Sequence, residues 1–176
     1  IAGRWRERSE PLPLLVQEFV RGYDADISVL AVEGQVVAHV GQSRRVPGSL
    51  AFFENEAVLE IAQRIVRAAA YNGVANIDIR IDEESGKVTV IECNPRFWYT
   101  LQASLWRGAN FLEAGFAVAR GRQVNWRAPK DGVYHLHGHL IRRMLWNPAK
   151  WAQVPLYNVR GLFQALSDPL PFIKAG

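Results

Sequence analysis

Two short stretches of this chain carry oxygen and nitrogen groups at spacings suited to chemistry. In Asn76-Ile77-Asp78-Ile79-Arg80-Ile81-Asp82 every second residue is isoleucine. On a strand, that period of two puts Asn76, Asp78, Arg80 and Asp82 on one face and the isoleucines on the other. The following run, Val88 to Asn94, places Val88, Val90, Glu92 and Asn94 on one face and Thr89, Ile91 and Cys93 on the opposite one. A three-residue loop, Glu84-Ser85-Gly86, with Gly86 in the left-handed conformation, would join the two as a hairpin. That loop sets Asp82 opposite Val88, Arg80 opposite Val90, Asp78 opposite Glu92, and Asn76 opposite Asn94.

This register brings two carboxylates side by side. Directly opposed like charges destabilise a strand pair by up to ~1 kcal/mol. A divalent cation with oxygen ligands would offset the repulsion, and Asn94 adds a neutral oxygen. Mg²⁺ commonly takes one or two carboxylates and completes its shell with phosphate oxygens and water. Arg96, two residues further on, could reach the same phosphates through its planar fork. A surface hairpin with solvated charges carries the same pattern, so the residues alone leave both readings open.

Several elements must position this hairpin. Leu14 to Val20 is a short apolar run between Pro13 and Gly22, which predicts a buried strand. Asp26–Ala31 and Gln35–Val40 are β-rich and joined by Val32-Glu33-Gly34, a hairpin-like connection. Gly41 to Phe53 contains two glycines, Pro47 and two arginines, and is expected to be a loop. Glu54 to Asn72 is the strongest helix, with Val58, Ala62, Ile65 and Ala69 on one face, Asn55 as its cap and Gly73 as its stop. Thr100 to Gly121 is expected to be helical with a break near Gly108. Thereafter tryptophans and prolines crowd a basic, irregular or helical tail. The fold class expected is α+β, an antiparallel sheet with helices packed on one face. The division is a linker over 1–13, a main lobe over 14–121 and an extension over 122–176.

Composition narrows the function classes. A 176-residue chain that is 49% hydrophobic and 22% charged is globular rather than disordered. A net charge of +4 suits an anionic ligand but argues weakly for nucleic acid. With Cys93 as the single cysteine, an internal disulfide and a multi-cysteine zinc site are excluded. No run approaches the ~18 apolar residues of a membrane span, and the expected compartment is the cytoplasm. The chain opens on Ile1 and has one methionine, Met144, so it is expected to be a piece of something longer.

Gly73-Val74-Ala75-Asn76-Ile77-Asp78, followed by Ile91-Glu92-Cys93-Asn94-Pro95-Arg96, resembles the C-terminal lobe of ATP-grasp enzymes. Upstream, Val16-Gln17-Glu18-Phe19-Val20-Arg21-Gly22-Tyr23-Asp24 is similar to that family's adenine-binding hinge and ribose-binding acid. The resemblance covers about residues 14–120 and lies closest to the carbamoyl phosphate synthetase and carboxylate–amine ligase branch. It implies ATP and Mg²⁺ (or Mn²⁺) as cofactors and a small carboxylate activated as an acylphosphate for attack by an amine. Asp78, Glu92 and Asn94 would hold the metal, with Glu92 bridging two ions. Gln17, Glu18, Phe19 and Val20 would line the adenine site, and Asp24 would take the ribose. Arg96 would lie by the phosphates. Arg80 stands where the family commonly has an apolar residue, and would touch phosphate or substrate; Arg44 and Arg45 would bind phosphate or a substrate carboxylate. No phosphate-binding lysine or glycine-rich lid can be assigned, so an N-terminal lobe of the same protein is the implied missing partner. A homodimer stays open.

Rival readings are a non-catalytic module that keeps the fold as a scaffold, and a basic nucleic-acid-binding domain using the tail. His135, His137 and His139 alternate and could ligate zinc if they lie on a strand, although a hydrogen-bonded histidine row has the same pattern. Cys93 is expected to be a buried structural thiol, and the Trp98-Tyr99 pair to pack in the core or an interface.

Overall fold

The computed structural model describes residues 14–45, 47–124, 126, 132–136, 140 and 154–167. Its centre is an antiparallel sheet of β1 (Tyr23–Val32), β2 (Gln35–Ser43), β3 (Ser49–Phe53), β4 (Gly73–Ile81), β5 (Val88–Asn94) and β6 (Gly132–His135), in the order β5-β4-β1-β2-β3-β6. The helices are α1 (Glu56–Ala68), α2 (Leu101–Trp106), α3 (Phe111–Ala119) and α4 (Leu156–Ser167). The α+β antiparallel class read from the sequence is the observed one.

The helices divide between the two faces of the sheet. On one face Ile27 and Val29 of β1, with Ile77 and Ile79 of β4, meet Val58, Ala62 and Val66 of α1. On the other, Leu30, Val40, Leu50 and Phe52 meet Trp98, Phe111 and Ala114 around α2 and α3. Strand alternation is the cause. β1 is apolar on both sides over Val29–Ala31, so each face needs its own cover. Near its start, Asp26 and Ser28 replace the apolar residues of the second face, and there the cover opens onto polar groups.

Local signals act as expected in several places. The Asn55 side chain caps α1 by accepting from the Val58 N–H at 3.1 Å. The helix stops earlier than Asn72. Tyr71 N–H bonds the Val66 carbonyl and Ala70 N–H bonds the Arg67 carbonyl, which is a Schellman closure with Ala70 at φ 43°. The β1–β2 turn has positive φ at both Glu33 and Gly34, as a two-residue hairpin of the favoured twist demands. The helical break near Gly108 separates α2 from α3.

Other expectations are corrected. Leu14 to Val20 lies outside the sheet and the helices, with Leu14, Leu15, Val16 and Phe19 exposed. It looks like a buried strand by composition but finds no neighbouring strand among the described residues. Gly41 to Phe53 is not all loop: β2 continues to Ser43, and β3 returns to pair Gly41 with Phe53. β6, from the supposed extension, pairs with β3 and so belongs to the sheet. His135 lies on that strand, while His137 and His139 fall outside the described residues, as do Trp146, Trp151 and residues 1–13. Among the described residues no helix is long and apolar enough to cross a membrane.

Two backbone positions give opposite predictions. A Cβ on Gly22, at φ 113°, would sit 2.1 Å from the Ile81 carbonyl oxygen. Gly22→Ala is expected to lower stability by more than about 1 kcal/mol in denaturant unfolding. Ala70→Gly relieves a left-handed non-glycine residue and is expected to raise stability by about 1 kcal/mol in the same assay.

Candidate functional site

The site is built where β1, β4 and β5 run side by side. Asp26 pairs with Asp78 across β1–β4, and Asp78 pairs with Glu92 across β4–β5. Asn76 stands opposite Asn94 two pairs along, beyond Ile77 and Cys93. Thus a carboxylate projects from the same face of each of three neighbouring strands. The Asp78–Glu92 and Asn76–Asn94 pairings are those predicted.

The rest of the predicted hairpin register is shifted. Arg80 faces Thr89 and Ile81 faces Val88, with an irregularity between Asp78 and Ile79. The turn is one residue longer than expected: Asp82 N–H bonds the Lys87 carbonyl, and Gly86 N–H bonds the Asp82 carbonyl. The Asp82 carboxylate holds the turn by accepting from the Ser85 N–H and hydroxyl, both at 2.7 Å. A bulge at Ile91 absorbs the extra residue and restores the register at the acid pair. Gly86 is left-handed, as expected, at φ 68°.

Asp78 is held by a chain of neutral groups. Ser28 Oγ donates to Asn76 Oδ1 at 2.7 Å, and Asn76 Nδ2 donates to Asp78 Oδ1 at 2.9 Å. Asn94 Nδ2 bridges the two acids, at 3.3 Å from Asp78 Oδ2 and 2.7 Å from Glu92 Oε1. Arg96 Nη2 lies 3.5 Å from Asn94 Oδ1. Burial, and then the neighbouring Glu92, push the Asp78 carboxyl above its ordinary range. The Asn94 amide holds the exposed Glu92 below its own. Among the described residues no three His, Cys, Asp or Glu side chains gather closely enough to hold a metal ion. Asp78 and Glu92 offer two carboxylates at neighbouring positions. That donor set fits a hard cation such as Mg²⁺, which takes its remaining oxygens from phosphates and water. Turning the Asn94 amide over would present its oxygen to the same place.

Asp26 is the residue missed by the sequence reading. It is 7% exposed, and among the described residues its Oδ1 has no hydrogen-bond partner. Burial first, and Asp78 second, raise its carboxyl to about 7. Its place at the start of an alternating polar stretch, Asp24-Ala25-Asp26-Ile27-Ser28, was the available signal. Its neighbour Asp78 is 52 positions away, and local patterning does not reveal that pairing. Asp24, Asp26, Arg44, Asp78, Ile79 and Ile91 line a cavity of ≈ 240 Å³.

The other predicted residues are placed as follows. Arg80 is not turned toward the acid pair: Nη1 bonds Asp24 Oδ1 at 2.7 Å, Nη2 bonds the Gly22 carbonyl, and the guanidinium lies over the Phe19 ring. It ties Phe19 and Gly22 to the strand carrying Asp78. Asp24 remains largely exposed. Arg45 is likewise committed elsewhere, pairing with Glu83 at 2.9 Å and lying over the Tyr23 ring. Arg44, on the cavity wall, lowers both Asp26 and Asp78 by its charge. Cys93 is exposed rather than buried; partial desolvation and then Asp78 raise its thiol. Trp98 is in the core, edge-on to Phe111, whereas Tyr99 is 92% exposed.

The model of a family described as ATP-grasp in the biosynthetic pathway with Ter operon matches residues 10–138. No curated protein matches the sequence. Among solved structures the chain is similar to Rhizobium etli pyruvate carboxylase, at 18% identity and TM-score 0.48 over 58% of this chain and 10% of that one. It is similar to the biotin carboxylase domain of a single-chain bacterial carboxylase, at 18% identity and TM-score 0.48 over 64% and 30%. A third is the phosphoribosylaminoimidazole carboxylase ATPase subunit of Aquifex aeolicus, at 14% identity and TM-score 0.46 over 61% and 35%. The chain thus spans between a tenth and about a third of the length of these proteins.

The Asp26 environment makes stability depend on pH. The folded carboxyl keeps its proton up to about pH 7, whereas an ordinary one releases it near 3.8. Between those values the unfolded state binds fewer protons, so stability falls as pH rises through the window. Asp26→Asn is expected to add on the order of 2–4 kcal/mol at pH 8, with the gain vanishing near pH 4. Denaturant unfolding at both pH values, without divalent cations, checks this.

Proposed function

This chain belongs to the ATP-grasp family, and from that membership we propose that it is the nucleotide- and metal-binding lobe of an ATP-dependent carboxylate ligase. The whole enzyme activates a carboxylate as an acylphosphate and passes the acyl group to an amine or similar nucleophile. The observation that carries this reading is the convergence of Asp78 and Glu92 on one sheet face, bridged by Asn94, with Asp78 also lining a cavity walled by Arg44.

A carboxylate is a poor electrophile because its leaving group would be oxide. One carboxylate oxygen attacks the γ-phosphorus of ATP, the bond to the bridging oxygen breaks, and ADP leaves with that electron pair. The nucleophile then attacks the acyl carbon; phosphate departs, and the amine gives up a proton. Bound Mg²⁺ would supply Lewis-acid charge to the phosphate oxygens. The chain's own residues divide the remaining work. Asp78, Glu92 and Asn94 hold the cation, and Asn76 fixes the Asp78 carboxylate. Arg96 places positive charge beside the transferring phosphoryl, where charge spreads over its oxygens. The backbone of Glu18 and Val20, within Gln17–Val20, takes the adenine edge, and Asp24 accepts the ribose hydroxyls. Arg80 acts as a positioning residue, holding Asp24 and the hinge segment rather than touching phosphate. An N-terminal lobe of the same protein would close over the triphosphate.

Steady-state turnover of the complete protein with Mg-ATP tests this. Glu92→Gln and Asp78→Asn keep size and shape but remove charge, and each is expected to lower kcat/KM by at least about 100-fold. Arg45→Gln, whose guanidinium is taken up by Glu83 and the Tyr23 ring, should change it by less than about threefold. Undiminished turnover in both acid variants would refute the assignment.

A further inference from the structure

Arg44 stands between two cavities. One is the carboxylate-lined cavity described above. The other, of ≈ 160 Å³, is lined by Arg44 with Ser49, Leu50, Tyr99 and Leu136 among its walls. The second is apolar in effect, because its buried polar groups are already engaged. Ser49 Oγ lies 2.7 Å from His135 Nδ1, and the neighbouring Thr100 Oγ1 donates to Gln42 Oε1 at 3.0 Å. Leu50 and Leu136 contribute hydrocarbon, and Tyr99 adds an exposed ring at the mouth. A space of ~150 Å³ with such a lining holds a benzene-sized group. Charged or hydroxylated groups would leave water there without gaining partners.

Arg44 supplies what these walls lack. It is exposed and forms no ion pair among the described residues. Its backbone N–H bonds the Asp24 carbonyl at 3.3 Å, which fixes its Cα where β2 leaves the sheet. A guanidinium so placed offers two parallel donors to a carboxylate. The same side chain borders the cavity of Asp78.

We propose that the second cavity seats the side chain of the acid substrate. The substrate class is a monocarboxylate bearing one uncharged apolar group up to the size of a phenyl ring. Arg44 holds its carboxylate at the boundary between the cavities, so that the acid end faces the Asp78–Glu92 pair. This deepens the ligase reading and rests on it for the direction in which the carboxylate points.

Calorimetric titration of the complete protein, with and without Mg-ATP, tests the proposal. The probes are 3-phenylpropanoate, acetate, succinate and the uncharged 3-phenylpropanamide. The phenyl acid is expected to bind at least about tenfold more tightly than each of the others, the range a hydrophobic pocket supplies. Arg44→Gln and Tyr99→Asp both alter exposed side chains, and each should weaken that binding at least about tenfold. Four probes that bind alike, or none that binds, would overturn the proposal, as would an affinity that neither variant moves. If the probe ranking holds while Mg-ATP fails to bind the wild-type protein, the ligase reading falls and the acid pocket stands.

Discussion

Repulsion among carboxylates on adjacent strands is the constraint around which this lobe is organised. Asp26, Asp78 and Glu92 occupy paired positions on β1, β4 and β5, so the sheet's own hydrogen bonding holds like charges at neighbouring sites. The fold relieves this in three ways. Asp26 is buried and protonated over most of the acid range, which removes one charge. The Asn94 amide stands between the other two acids. Arg44 adds positive charge at the rim. None of these neutralises the Asp78–Glu92 pair, whose proximity makes sense if a cation is drawn there. A pair of carboxylates with a single bridging amide is too few ligands to enclose Mg²⁺, and suited to one that arrives already bound to phosphate.

Much of the site was legible because its core is local. Asp78 and Glu92 are joined by a hairpin, and alternation on each strand assigns their faces without knowledge of the rest of the fold. The pairing came out right although the turn is longer than expected, because the bulge at Ile91 compensates for it at the acid pair. Beyond the bulge, the same reasoning misplaced Arg80 by one residue. Asp26 illustrates the opposite limit. Its significance depends on β1 pairing with a strand some fifty residues later, and periodicity within either segment carries no trace of that choice.

The misreadings elsewhere share a physical origin. Leu14 to Val20 has the composition of a buried strand, yet strand formation requires a neighbour to satisfy its backbone groups, and none of the described elements supplies one. Gly41 to Phe53 has the glycines and proline of a loop, yet β2 and β3 extend into it because Gly41 pairs with Phe53 at close backbone approach. The second face of the sheet needed a cover that a one-sided arrangement could not provide. α2, α3 and Trp98 form it, and the segment between β5 and α2 must cross from the edge strand to reach that place. Arg96 lies in this crossing segment, so the packing of Trp98 against Phe111 helps fix where the arginine begins.

The arginines then separate by what the sheet leaves each of them. Arg80 and Arg45 each have a carboxylate and an aromatic ring as partners, which turns their guanidinium groups away from the acid pair. Arg44 and Arg96 have no carboxylate within ion-pair distance among the described residues, yet both exert their charge on the acid cluster. The two guanidinium charges thus bear on the same pair of carboxylates, Arg44 on Asp78 and Arg96 on Glu92. Under the proposed function, a metal–triphosphate pair would meet both signs of charge at once.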